Sequence, residues 1–347
     1  MAEHSATPRA GTSIGDGARH GELDVVGMGN ALVDVLTHES DAFVRRQGLE
    51  KGTMHLVDED RARELYEAMG PGIEISGGSA ANTVVGVASF GGRAQYVGKV
   101  RNDQLGEVFA HDLRSTGVGY DVPLATSGPP TGRCLILITP DAQRTMNTFL
   151  GASVGLTPSD VDPSVIARGR ILYLEGYLFD PPAAQEAFRA AARAAHAAGR
   201  KVSLTLSDPF CVERHRDAFL DLVERHVDIL FANETEVRAL YRAAEFDDAL
   251  QQVRRCCEVA ALTRGPQGSV IVAGDEVHVI DAHRVSHLVD TTGAGDLYAS
   301  GFLFGLSRGL DLASCGRLGS LAAAEVISHV GARPAVPLGE LAGAVLD

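Results

Sequence analysis

Short apolar runs alternate with helical stretches along most of this chain, and few folds accommodate that rhythm. Asp24-Val-Val-Gly-Met-Gly reads as a buried strand ending in glycines, Ala80 to Phe90 as a helix entered from Gly77-Gly78-Ser79, and Ala94 to Val100 as a strand. Asn102 to Ser115 carries helical spacing and stops at Gly117. Arg170 to Leu174 is a strand, and Ala183 to Ala198 an Ala-rich helix ended by Gly199. Lys201 to Leu206, Ile229 to Phe231, Val259 to Thr263 and Val270 to Val272 are further strands. Leu312 to Val330 closes as a long helix of small residues. Short strands separated by helices of ~10–15 residues imply a mostly parallel sheet covered on both faces, a three-layer α/β/α domain.

Two stretches break the rhythm. Residues 36–76 and 119–150 hold alternating strand-like pieces (Met54-His-Leu-Val, Arg133-Cys-Leu-Ile-Leu-Ile-Thr, Thr145-Met-Asn-Thr-Phe-Leu) separated by turns. They suit a small β-rich lobe built from two excursions of the main domain. The other reading is long surface loops, which compact domains rarely carry. Residues 1–22 are small, polar and Gly-rich, with no apolar run after them, and read as a disordered extension before a domain spanning 23–347.

Composition narrows the function. The 347 residues carry a formal net charge of −14, which argues against nucleic-acid or anionic-membrane partners. Five cysteines without CxxC spacing read as reduced, cytoplasmic thiols, and no Cys/His cluster has zinc spacing. No apolar run is long enough to span a membrane.

The chemistry concentrates in Asp290-Thr-Thr-Gly-Ala-Gly-Asp296, between the strand-like Val277–Ile280 and an apolar helical pattern from Leu297 to Leu306. A Gly-Ala-Gly step at a helix mouth lets backbone N–H groups close around an anion, with the helix dipole adding positive potential. Asp296 directly after that nest either caps the helix or takes a proton from an attacking hydroxyl while Gly293, Ala294 and Gly295 hold the phosphoryl group. No GxxxxGK[ST] phosphate loop exists elsewhere.

Three further constellations accompany it. Asn30 and Asp34 follow the opening strand, where ligands collect in open α/β sheets, and a carboxylate there can grip two adjacent hydroxyls. Gly77, Gly78 and Ser79 open a helix with Asn82 one turn on; they form either a capped Gly-rich turn or a close approach to a ligand. Asn233 and Glu236, three apart at a helix start, form a capping box, hold the water shell of Mg²⁺, or both.

Together these segments resemble the PfkB, or ribokinase-like, family of carbohydrate and nucleoside kinases, in family order from Val26 to about Arg333. The resemblance implies a ribokinase-like fold whose β-rich lobe is a lid. It implies Asp296 as base, a GGxxxN substrate loop at Gly77–Asn82, and the NxxE motif at Asn233–Glu236. Asn30 and Asp34 are implied to contact a ribose. Thr263, Arg264, Gly265 and Gly268 resemble the loop beneath the ATP phosphates and adenine. Ala323, Ala324 and Ile327 fall where the family packs adenine, although core packing explains them equally. Arg144 matches a lid arginine that reaches the γ-phosphate, or is simply solvated. Asp290 and Thr292 resemble positions that bind a monovalent cation such as K⁺ in several relatives.

The implied reaction uses ATP and Mg²⁺ to phosphorylate the 5′-hydroxyl of a ribonucleoside. The opening strand, VDILFANETE and Pro130–Cys134 are similar to adenosine-kinase-like members, so adenosine is the expected substrate. Inosine, guanosine or a simple sugar such as ribose or fructose stay open, because the chain has no Trp and only 5% aromatic residues. Tyr177, Phe179 and Phe210 are the aromatic candidates for the base. A silent nucleoside-binding protein is a third reading. Monomer and homodimer are both compatible with the family.

Overall fold

The computed structural model describes residues 22–141 and 143–346. The extension expected over 1–22 otherwise lies outside them. Its last residue, Glu22, is held by Arg200 at 2.6 Å and Arg170 at 3.5 Å.

In chain order the strands are β1 (Leu23–Met28), β2 (Leu32–His38), β3 (Met54–Leu56), β4 (Ile73–Gly77), β5 (Ala94–Val97), β6 (Thr131–Ile138) and β7 (Arg144–Gly151). There follow β8 (Gly169–Glu175), β9 (Lys201–Thr205), β10 (Ile229–Asn233), β11 (Val259–Thr263), β12 (Ser269–Ala273) and β13 (Glu276–Ile280). Eight form one sheet in the order β13-β12-β11-β10-β9-β8-β1-β5. Pairing is parallel from β5 to β11 and antiparallel only at β11–β12 and β12–β13.

Period-two alternation explains why the strands read as apolar runs. In β1, Val26 and Met28 enter one core while Val25 enters the other. In β8, Leu172 and Leu174 face the first core, Ile171 and Tyr173 the second. A sheet buried on both faces needs apolar residues at every position.

The other five strands form a separate sheet ordered β3-β7-β6-β2-β4. Its start is earlier than the excursion at 36: β2 begins at Leu32 and pairs with both β4 and β6. The outward face packs Val33, Val35, Leu135 and Leu137 into the second core with Phe43, Val44 and Leu65 from the helices Asp41–Arg46 and Glu59–Ala68. The opposite face looks into a cleft between the sheets.

Two boundaries differ from expectation for tertiary reasons. The last long helix stops at Val326 rather than Val330, because the Ile327 carbonyl accepts N–H groups from Val289 and Asp290. The strand expected to Val100 ends at Val97, and the Gly98 carbonyl instead accepts the Tyr120 hydroxyl at 2.9 Å. Among the described residues no helix is long and apolar enough to cross a membrane.

The helix Ala294–Ser307 runs across the sheet with Phe302 fully buried, edge-on to Phe231 and stacked with Tyr298. Replacing Phe302 by Ala is expected to lower unfolding stability by about 3–5 kcal/mol in urea titrations. A loss under about 1 kcal/mol would mean that this ring does not anchor the helix.

Candidate active site

The C-terminal ends of β9, β10 and β11 deliver Thr205, Asn233 and Thr263 to a cleft of about 710 Å³, closed from the other side by the second sheet. Open parallel sheets collect ligands at this position. Alternate residues of the second sheet line it: Leu32 and Asp34 from β2, Cys134 and Ile136 from β6, Met146, Thr148 and Leu150 from β7. Asp34 and Asp296 therefore share one crevice, together with Asn30, Gly78, Ser79, Asn82, Glu236 and Thr291–Asp296.

Asp296 is not a helix cap. Gly293, at φ 78°, occupies that position without a side-chain bond, and Asp296 falls in the first turn. Its two oxygens accept from Ser79 Oγ at 2.5 Å and Asn82 Nδ2 at 3.0 Å, so the helix entered at Gly78 and the one entered at Gly293 meet on this carboxylate. Enclosure by protein pushes the Asp296 carboxyl above its usual range, while these two donors and the positive charge of Arg333 hold it down. Above it, a Cβ added to Gly295 would meet open space, so the uncapped helix start faces the cleft without obstruction.

Asp34 lies where only glycine fits opposite: a Cβ on Gly77 would fall 2.4 Å from its carboxylate. Desolvation lifts the Asp34 carboxyl to about 6, against the pull of Arg333 and Arg144 and with a push from Asp296. Gly78 takes φ 100° and passes so close to the Asn30 carbonyl that a side chain there would collide at 2.3 Å. Asn30 is buried, and its amide donates to Glu175 Oε1 at 2.8 Å and accepts from Ser153 Oγ at 2.9 Å.

Glu175, at the end of β8, was not among the candidates. It also accepts the backbone N–H of Asn30 and Ala80, and burial nevertheless raises its carboxyl to about 7. A carboxylate ending an otherwise apolar buried strand, Leu172-Tyr-Leu-Glu175, was the available signal.

Asn233 and Glu236 form the complete capping box. Asn233 Nδ2 donates to Glu236 Oε1 at 2.6 Å, Asn233 N to Oε2 at 2.9 Å, and Glu236 N to Asn233 Oδ1 at 2.9 Å. Burial lifts the Glu236 carboxyl to about 7. Among the described residues no group of three His, Cys, Asp or Glu is arranged to hold a metal. The donor set fits an ion that keeps its waters and phosphate ligands rather than a protein cage.

The remaining candidates divide. Thr292 lines the cleft, donates to Asp290 Oδ1 at 2.8 Å and lies 3.4 Å from Arg144 Nη1. Arg144 is not simply solvated: Nη1 pairs with Asp290 at 2.7 Å, and its buried Nη2 has no partner among the described residues. Thr263 lines the cleft, whereas Arg264 turns to Glu234 at 2.9 Å and lies over the Phe246 ring. Gly265 and Gly268 shape the turn into β12 behind the lining, at φ 56° and 81°. Ala324 is buried in its helix and does not line the cleft. Of the aromatic candidates, Tyr177 and Phe210 line it. Phe179 is a core residue stacked on Phe219 at 4.2 Å.

An uncapped helix start that opens on a cleft, with a carboxylate held in its first turn, is the arrangement that phosphoryl transfer to an alcohol requires. Residues 72–338 match the model of the pfkB family carbohydrate kinases, and the chain belongs to that family. It is 50% identical to the crystal structure of adenosine kinase from Sinorhizobium meliloti, covering 93% of this chain and 99% of that one at a TM-score of 0.86. A probable sugar kinase from Rhizobium etli is 48% identical over 93% of this chain and 98% of its own, also at 0.86. Among curated proteins, adenosine kinase of Saccharomyces cerevisiae is 28% identical over 331 residues, 88% of this chain and 95% of its own. The fold is ribokinase-like, and the activity is an ATP-dependent phosphotransfer to a hydroxyl group.

The raised carboxyls give a signed prediction. With Asp34 at about 6 folded and 3.8 ordinarily, the folded state binds the extra proton, so its stability falls as pH rises through that window. Asp34→Asn removes the penalty. It is expected to stabilise the free protein at pH 8 on the order of 1–2 kcal/mol, discounted for partial accessibility, with the gain vanishing below pH ~4. Melting at both pH values checks this; a variant less stable than wild type at pH 8 contradicts it.

Proposed function

We propose that this kinase phosphorylates the 5′-hydroxyl of a ribonucleoside, adenosine, to give AMP with ATP as donor and Mg²⁺ on the phosphates. The observation that carries the reading is the single crevice shared by Asp34 and Asp296. Asp34, set deep on β2, accepts hydrogen bonds from the two ribose hydroxyls. The 5′-hydroxyl then points along the cleft to Asp296, whose carboxylate is already oriented by Ser79 and Asn82. The backbone N–H groups of Gly293 and Gly295, with that of Ala294 beside its 3.2 Å bond to the Thr291 carbonyl, face the charge that develops on the transferring group. Arg144, beside Asp290 with one nitrogen unpartnered among the described residues, supplies positive charge to the same place.

ATP supplies the phosphoryl group, with its phosphates toward the helix start and its nucleoside toward Asn233 and Thr263. Asn233 and Glu236 would hold Mg²⁺ through its water shell, where the ion would supply positive charge to the phosphates. We give potassium no role at Asp290. That carboxylate is filled by Arg144, the Thr292 N–H and hydroxyl, and the Gly331 N–H.

The scarcity of aromatic residues has a structural answer. Leu32, Cys134, Ile136, Met146 and Leu150 present an aliphatic and sulfur-bearing wall from the second sheet, with Tyr177 and Phe210 opposite. An apolar wall of this kind suits a flat base; a bare sugar leaves it facing water. The second sheet, acting as a lid, excludes water that otherwise competes as acceptor. Relatives named adenosine kinase support the assignment, and we place the reaction in cytoplasmic purine salvage, a setting that five free thiols suit. A sugar kinase is the second reading, supported by the resemblance to the Rhizobium etli protein.

ADP release measured side by side with adenosine, inosine, guanosine, ribose and fructose separates the readings. Adenosine is expected to give the highest kcat/KM, and a preference for ribose or fructose overturns the nucleoside assignment. In the same assay Asp296→Asn is expected to lower kcat by about 10²–10⁴-fold while equilibrium dialysis still shows nucleoside binding. Near-normal turnover in that variant removes Asp296 from the role of base.

A further inference from the structure

Arg333 lies on the loop after the helix Leu312–Val326, outside every segment singled out as a candidate site. Its guanidinium is spoken for on two sides. Nε donates to Asn82 Oδ1 at 2.8 Å, and Nη2 donates to the Ser76 carbonyl at 2.6 Å and to Ser76 Oγ at 3.0 Å. Ser76, next to last in β4, passes its own N–H and O–H to Asp112 Oδ2 at 2.8 and 2.5 Å. Asn82 Nδ2 donates to Asp296 Oδ2. An unbroken chain of hydrogen bonds thus runs Asp112–Ser76–Arg333–Asn82–Asp296. It joins the helix Gln104–Ser115, the edge of the second sheet and the C-terminal loop to the base.

The chain has a direction that chemistry imposes. A side-chain amide has a donor end and an acceptor end, and a half-turn about its last bond exchanges them. Next to a carboxylate only the donor end is attractive. A guanidinium has donors alone, so it binds only the oxygen of Asn82 and leaves the NH₂ for Asp296. Arg333 is itself held in place by Ser76, whose hydroxyl is committed as a donor to Asp112.

We propose that Arg333 is a positioning residue for Asp296, acting through Asn82 by locking its amide so that Nδ2 points at the base, and that it contacts neither nucleoside nor phosphate. This rests on the reading of Asp296 as base. Without Arg333 the Asn82 amide turns freely, one orientation sets its oxygen against the Asp296 carboxylate, and the base loses its fixed aim at the attacking hydroxyl.

The test is a double-mutant cycle in the full chain, on whichever alcohol the substrate panel shows wild type to phosphorylate, so a wrong substrate and a wrong role for Arg333 are told apart. Arg333→Met is expected to lower kcat about tenfold to a hundredfold while KM for that substrate stays within about threefold. The double variant with Asn82→Ala is expected to turn over within about threefold of Asn82→Ala alone, because the two residues act in series. If Arg333→Met fails to fold, Arg333→Lys enters the same cycle, since it keeps the charge and loses the two-sided fork. Turnover within about twofold of wild type in the Arg333 variant, a large rise in KM with kcat unchanged, or penalties that multiply in the double variant each overturn the proposal.

Discussion

The molecule is organised around one carboxylate held by residues more than 200 positions away. Asp296 rides on the first turn of the helix Ala294–Ser307, and the donors that fix it, Ser79 and Asn82, begin the helix Ser79–Ser89. The rest of the main domain brings those two helix starts together. β1 and β8 lie between the flanking layers, Phe302 packs against Phe231, and a Cβ on Gly86 would strike Ser300 at 2.3 Å. A base aimed in advance removes reorganisation from the moment of reaction, which is where much of an enzyme's advantage originates.

That arrangement concentrates like charge. Asp34, Glu175, Glu236 and Asp296 all sit in or beside one crevice, and enclosure raises the carboxyl of each. The compensation is selective. Asp34 and Asp296 feel Arg333; Glu175 and Glu236 are offset by backbone and amide donors instead. The two carboxylates given chemical roles, the ribose grip and the base, are thus the two whose charged form Arg333 favours. Sites of this kind sacrifice stability for reactivity.

Much of this was legible in the chain. Apolar runs with no polar face announced a sheet covered on both sides, and the core alternation in β1 and β8 shows why. The Gly-Ala-Gly step before Asp296 and the three-residue spacing of Asn233 and Glu236 carried their geometry with them, because both are local. What depended on distant partners was harder. Asn82 reads as part of a substrate loop, and its bonds to Asp296 and Arg333 had no sign in the sequence. Phe179, one of three aromatic candidates for the base, is core, since nothing local distinguishes an aromatic ring facing Phe219 from one facing a cleft. Arg333, alone in a loop, carried no pattern at all. Ala324 followed the resemblance into the adenine site, and small residues in a helix serve close packing equally well.

The most direct test is a crystal structure of this chain with adenosine and a non-hydrolysable ATP analogue. The account predicts the ribose 2′- and 3′-oxygens on Asp34, the 5′-oxygen within about 3 Å of the Asp296 carboxylate, and the terminal phosphate at the backbone of Gly293–Gly295. A 5′-oxygen turned away from Asp296, or a terminal phosphate bound elsewhere than at that helix start, would contradict it.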